Sequence, residues 1–428
     1  GSEMCIRDRL YIVLEIELQK GTVNSVTSAE NLDSVGTSGK NIYKVTKNGT
    51  YKFSITTNAG TDNEYTTTNT VKVQNYKVNE ADIVSVANTP KVKAESGMKA
   101  VRYNSGIWSE ADTAKTWYSY EPQTGTTENG GTSEWANAMT KDESMWVWIP
   151  RYAYKITNGE HGAGLTYTSN VTTQAGTINV IFLKGTSNTE YIDKETGETK
   201  TLPDGYTVHP TFTTNADNGG GWNQELEGIW VAKFEASSVE GNSNDAGDNV
   251  TTKTLQVKPN VSSWRNIQIG NMWTVAREAK YGLTDETQID RLNSHMMKNS
   301  EWGATAYLAH SKYGRNGTEI SINNSSSYYT GRSAGAPGTS STSTSSAGTY
   351  EYNTTGGVLA STTGNVYGIY DMSGGAMEYV ASYVNNGDSN ISTYGSSFAT
   401  KDTTAATSSE YAVSYTHLRA HETRGNLV

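Results

Sequence analysis

The residues with the clearest chemical potential lie between Gly364 and Val380, in the stretch GNVYGIYDMSGGAMEYV. Two carboxylates, Asp371 and Glu378, stand on either side of Gly374-Gly375, and the apolar segments Val366 to Tyr370 and Ala376 to Val380 flank the polar centre. A glycine pair permits backbone angles that side chains forbid, so the chain is expected to reverse there, as a strand or short helical turn ends. That reversal would bring both carboxylates and the intervening carbonyls around one point. Oxygen-only ligands of this kind suit a hard cation such as calcium. The alternative is structural: Asp371 caps the turn and Glu378 is a hydrogen-bonded core carboxylate.

Other chemistry is sparse. The chain shows no Ser-His-Asp spacing, no P-loop and no His-Glu-x-x-His. Its single cysteine is Cys5, and His161, His209, His295 and His310 are scattered without ligand spacing, so each is expected to be structural or superficial.

The two ends read as foreign. GSEMCIRDR can be encoded by a DNA element whose opposite strand, in a shifted frame, reads Val-Ser-Tyr-Thr-His-Leu-Arg-Ala, the string found at Val413 to Ala420. That element resembles the transposon-end adapter of sequencing libraries, so residues 1–9 and 412–428 are expected to be adapter-derived. Cys5, His417 and His421 then carry no argument about thiols or metals. With both natural ends expected to be missing, nothing follows about a signal peptide or anchor.

About 400 remaining residues allow two or three domains. The formal charge moves from -10 to about -11 without the adapter-like ends. Such acidity speaks against a nucleic-acid surface. Scarce leucine with abundant Thr, Ser, Asn, Gly and Tyr favours strands and turns over long helices. Ten tryptophans supply large pieces of buried surface. No apolar run reaches the length of a membrane span. Low charge density and the lack of a natural cysteine fit an extracellular, cell-surface or virion protein.

Residues 10–77 read as a small all-β module. Leu10 to Leu18 alternates as a strand, and Ile42 to Val45 and Tyr51 to Ile55 flank Lys47-Asn48-Gly49, the signal of a tight hairpin. Tyr51, Phe53 and Ile55 should share a face, and Thr70 to Val73 adds a strand. Residues 78–96 read as a linker, and 97–411 as a larger domain. Its expected strands are Met98 to Tyr103, Met145 to Ile149 ending at Pro150, Val180 to Leu183 and Gly228 to Phe234. Its expected helices are Asn271 to Lys280 and Ser300 to Ser311, the second capped by Ser300 with Trp302, Ala306 and Ala309 near one face. Insertions are expected near residues 121–134, 236–252 and 325–350, the last rich in Ser, Thr and Gly. Trp117 is expected in the core, and Tyr328-Tyr329 beside a loop is a possible sugar-stacking pair.

In order along the chain, Met145-Trp146-Val147-Trp148-Ile149-Pro150, His209-Pro210 with Gly228 to Glu235, Pro259 to Trp264, Asn299 to Leu308, and Gly368-Ile369-Tyr370-Asp371-Met372-Ser373-Gly374 running into Gly375 to Tyr379 resemble the formylglycine-generating-enzyme and sulfatase-modifying-factor family. The matching landmarks cover about 235 residues. NGTYKFSITTNAG, from Asn48, is similar to strand pairs of bacterial immunoglobulin-like spacer domains. The resemblance implies an α+β chain: a C-type-lectin-like domain, C-terminally truncated, behind a small all-β immunoglobulin-like domain. It also implies a calcium site formed by the side chains of Asp371 and Glu378 and the carbonyls of Gly374 and Ala376. Where the family has Gly-Asn-Val-Trp-Glu-Trp, this chain has Gly374-Gly375-Ala376-Met377-Glu378-Tyr379. The family's copper-binding cysteine pair, which oxidises a substrate cysteine, has no counterpart here.

The expected function is therefore a non-catalytic surface or phage-displayed binding protein, an adhesin on a lectin-like scaffold that takes a glycan or protein ligand. The alternatives are a formylglycine-generating oxidoreductase acting on sulfatases and a structural subunit of a cell surface or virion.

Overall fold

The computed structural model describes residues 10–14, 16, 22–32, 34, 41–45, 49–73, 83–92, 96–123, 132–157, 177–216, 219–241, 248–261, 263–321, 351–373, 376, 378–384, 388–395 and 411–415. They form an α+β structure of mostly small sheets and few helices, divided into two units, 1–83 and 84–428.

Alternation builds the first unit. Val23–Ser28, Gly49–Thr57 and Tyr65–Val73 form one antiparallel sheet, and Leu10–Leu14 pairs with Asn41–Val45 in another. Along Gly49–Thr57 the side chains of Tyr51, Phe53 and Ile55 are buried while Thr50 and Lys52 are exposed, as a period of two requires. The expected hairpin between Ile42 to Val45 and Tyr51 to Ile55 is not formed: these strands belong to different sheets. The Tyr43 ring packs 4.8 Å from Phe53, and both residues share a core with Val45 and Tyr51. Each strand carries an apolar row that needs a cover, and facing the two rows satisfies both. Lys47 and Asn48 lie outside the described residues.

The division between units falls at Ile83/Val84, within the segment expected to be a linker. Val84, Ala87 and Val92 pack on the core of the second unit. Ser85 Oγ accepts from the Phe182 amide at 2.6 Å, and Asn88 Nδ2 donates to the carbonyls of Gly185 and Glu227.

The centre of the second unit is a five-stranded antiparallel sheet in the order Gly228–Ala232, Met145–Pro150, Asn137–Met139, Lys99–Asn104, Ile107–Glu110. Its register sets Trp148 opposite Trp230, and Val147 opposite Val231. Alternation therefore places Trp146, Trp148 and Trp230 on one face and Val147, Ile149, Ile229 and Val231 on the other. A second sheet joins Thr177–Phe182, Tyr152–Thr157 and Thr207–Val208. Trp117 is buried in the same core as Trp135, Tyr152, Phe182 and Leu308, as expected of it.

The helices are α1 (Ile269–Arg277), α2 (Glu286–Leu292), α3 (Asn299–His310) and α4 (Ser389–Tyr394). Two expectations for α3 are corrected. Ser300 does not cap it: Ser300 lies inside the helix and donates to the Gly219 carbonyl at 2.6 Å, while the Glu301 carboxylate turns back to accept the Lys298 amide at 2.7 Å. Its inward face is Glu301, Ala304, Thr305, Leu308 and Ala309, whereas Trp302 and Ala306 are half-buried. Those inward positions follow the three-and-four spacing of a helix stripe, onto which Ala309 falls but Trp302 does not.

Ser382–Val384 pairs in parallel with Val413–Tyr415, so part of the adapter-like string lies in a strand, and Ala412 is buried with Trp273, Met296 and Ala381. The whole 325–350 insertion, Tyr328-Tyr329 included, lies outside the described residues. None of the helices in the described residues is long and apolar enough to cross a membrane.

Candidate functional site

The loop ahead of Asp371 is stapled by side chains that reach its backbone. Ser361 and Tyr370 meet in a single antiparallel bridge, and Thr362 Oγ1 accepts the Ile369 amide at 3.0 Å. Asn137 Nδ2 donates to the Tyr367 carbonyl at 2.9 Å. Lys233, fully buried, donates from Nζ to the carbonyls of Val366 and Gly368 at 2.6 and 2.8 Å, with its ammonium 4.9 Å from the centre of the Trp108 ring. Burial pushes the Lys233 ammonium well below the usual lysine range. The Tyr370 amide donates back to the Lys233 carbonyl at 2.9 Å.

Asp371 emerges from this staple with φ of 61° and is 1% exposed. Aspartate is among the few side chains that tolerate that left-handed conformation. Glu378 Oε2 accepts the indole N–H of Trp302, at the start of α3, at 3.2 Å. A third carboxylate, which the sequence reading missed, belongs to the group. Glu235 Oε1 accepts the Ala376 amide at 2.8 Å, and the Ser263 side chain also hydrogen-bonds this carboxyl group. Burial, then the charges of Asp371 and Glu378, push Glu235 well above the usual carboxylate range. Glu378 is raised to about 7, first by burial and then by Asp371. Glu378 retains accessible surface because it faces a cleft, although protein surrounds its carboxyl group.

The expected calcium ligands are thus only partly assembled. Asp371 and Glu378 come together, Ala376 offers its amide to Glu235, and Gly374 lies outside the described residues. No group of three His, Cys, Asp or Glu among the described residues is arranged to hold a metal ion. The oxygens fit a hard cation by type, but one Glu378 oxygen is engaged by an indole and one Glu235 oxygen by an amide.

The cleft has a volume of about 740 Å³ and is lined mainly by apolar surface, including Trp146, Trp148, Trp222, Trp230, Trp264 and Trp302. Five of those indoles have hydrogen-bond acceptors for their N–H groups: Thr140 Oγ1, the carbonyls of Thr211, Lys91 and Asp248, and Glu378. The Trp148 N–H is buried and has none. Trp148 and Trp230 pack with centroids 5.2 Å apart, and Gly228 leaves room for the indole: a Cβ there would fall 2.4 Å from Trp148 Cζ2. The sequence signal for this floor is the alternation Trp146-Val147-Trp148 opposite Trp230-Val231, which resolves into a face only once the strands are paired.

The histidines behave as structural groups. His209 is buried among Tyr152, Tyr154, Phe212 and Tyr307, and burial lowers it to about 3. Its Nδ1 accepts the Thr211 amide, as a neutral ring can. His295 presents Nδ1 to the Asn293 carbonyl at 2.8 Å and Nε2 to Glu301 at 3.0 Å. Burial alone would lower it, but the carboxylate of Glu301 outweighs burial and raises it. His161 lies outside the described residues. No family model, no curated protein and no solved structure matches this chain.

Proposed function

We propose that the chain is a non-catalytic binding protein of a cell surface or virion, whose second unit, on a C-type-lectin-like scaffold, holds a glycan in the tryptophan-lined cleft. The first unit is then an immunoglobulin-like spacer. The observation that carries this reading is the cleft wall itself, lined by the indoles of Trp146, Trp148 and Trp230 from one side of the sheet and by Trp302, which is hydrogen-bonded to the carboxylate of Glu378. Indole faces pack against the C–H faces of sugar rings, and carboxylates accept sugar hydroxyls. A volume of about 740 Å³ lies within the usual range for pockets that enclose a small ligand, roughly 300–1,000 Å³.

Calcium enters this reading through Asp371, Glu378 and the carbonyls of Gly374 and Ala376. Bound there, it would neutralise the acidic edge and offer a Lewis-acidic point for vicinal hydroxyls. Direct titration with calcium, followed by tryptophan fluorescence and melting temperature, tests that part. The glycan reading is tested by displaying the full chain on a glycan array beside W230A and W302A. Specific binding that both substitutions weaken supports it. Silence on the array together with regular self-assembly would move the assignment to a structural subunit.

A further inference from the structure

The acidic edge of the cleft asks for a cation, and its surroundings say which kind. Calcium takes about six to eight oxygen ligands. At this edge the lining carboxylates Glu235 and Glu378, with Asp371 buried behind them, share the wall with Met372 and Trp302, whose indole bonds Glu378, and no metal-ligand cluster stands among the described residues. An organic ammonium needs fewer oxygens and gains from an aromatic face. The other cations in the wall do not neutralise the group. Lys91 pairs with Glu227 at 3.0 Å, His295 pairs with Glu301, and Arg291 stands at an exposed position on α2. A further observation points to a ligand with hydrogen-bond acceptors: the Trp148 indole N–H, in a residue 3% exposed within the cleft wall, has no acceptor.

We propose that the ligand is a glycan bearing free amino groups, a de-N-acetylated hexosamine chain, with one ammonium held by Glu235 and Glu378 and its sugar ring packed on Trp302. This rests on the glycan reading above and adds the charge of the ligand. Recognition is by charge complementarity at one edge and ring stacking across the floor. N-acetylation removes the charge and places a bulky amide against two carboxylates, so the acetylated sugar is discriminated against.

The test is calorimetric titration of the full chain at pH 7 in EDTA with the glucosamine tetramer, the N-acetylglucosamine tetramer and tetralysine, and separately with calcium chloride without EDTA. The glucosamine tetramer is expected to bind at least about tenfold more tightly than its acetylated counterpart, the scale of one charge-assisted hydrogen bond. E235Q and E378Q should each reduce that preference by a similar factor. Should either variant fold poorly, the parent chain still decides the point, because affinity for the charged tetramer, but not for the acetylated one, must fall as sodium chloride is raised. Equal binding of both tetramers overturns the ammonium and leaves the glycan reading standing. Binding of calcium and of neither tetramer overturns the ammonium and leaves the calcium-bridged glycan reading standing, whereas binding of tetralysine alone or of none of these probes overturns both.

Discussion

In the ligand-free folded chain below about pH 7, Glu378 keeps a proton that the unfolded chain would release above about 4.5. Its folded value is raised to about 7 from the ordinary 4.5. Between those values the native state binds the extra proton, so this residue favours folding at low pH and the contribution is lost as pH rises through about 7. In EDTA without ligand, E378Q is therefore expected to melt at the same temperature as the parent at about pH 4, below the unfolded value, and at a higher temperature at pH 8. Paired thermal melts at the two pH values check this, and a lower melting temperature for E378Q at pH 8 would refute the like-charge account. Lys233 is the opposite case, a buried amine whose charged form burial disfavours, held by carbonyls and aromatic faces. K233M keeps the volume but leaves the Val366 and Gly368 carbonyls without their donor, at about 1–3 kcal/mol for each unsatisfied group. Denaturant melts should show that loss, and glycan affinity should fall with it because the same loop positions Asp371.

At the scale of elements, the cleft depends on strand pairing. Gly228 lies against the Trp148 indole beside Trp230, and an added Cβ would also come within 2.7 Å of the Ile149 carbonyl. G228A is expected to cost about 1–3 kcal/mol as an overpacking change, read in a denaturant melt, and to tilt the indole that floors the cleft. Strands and helices were largely legible because their apolar periodicity is local: Tyr51, Phe53 and Ile55, the Met145–Pro150 strand, and α1 and α3 all lie near their expected places. The start of α3 was misread for a physical reason. Ser300 has the right side chain for a cap, but the Gly219 carbonyl, 81 residues away, competes for its hydroxyl, and Glu301 serves the Lys298 amide. Likewise the Lys47-Asn48-Gly49 signal describes a change of direction, and it cannot say whether the strands on either side will pair or face each other.

For the whole molecule, the first unit has its own core around Phe53, and all ten tryptophans lie in the second. F53A is expected to cost about 3–5 kcal/mol, seen as faster hydrogen exchange of the Gly49–Thr57 amides. Tryptophan fluorescence reads the second unit alone, which makes it a direct signal for occupation of the cleft. The sequence by itself determined the α+β character, the acidic charge and the nearness of Asp371 to Glu378, because composition and short-range spacing set these. Tertiary structure alone decided that Glu235 joins those two carboxylates, that Trp146, Trp148 and Trp230 share one face, and that Lys233 staples the loop from within. Each of those depends on contacts between residues far apart in the chain, where burial and strand register, rather than local spacing, choose the neighbours.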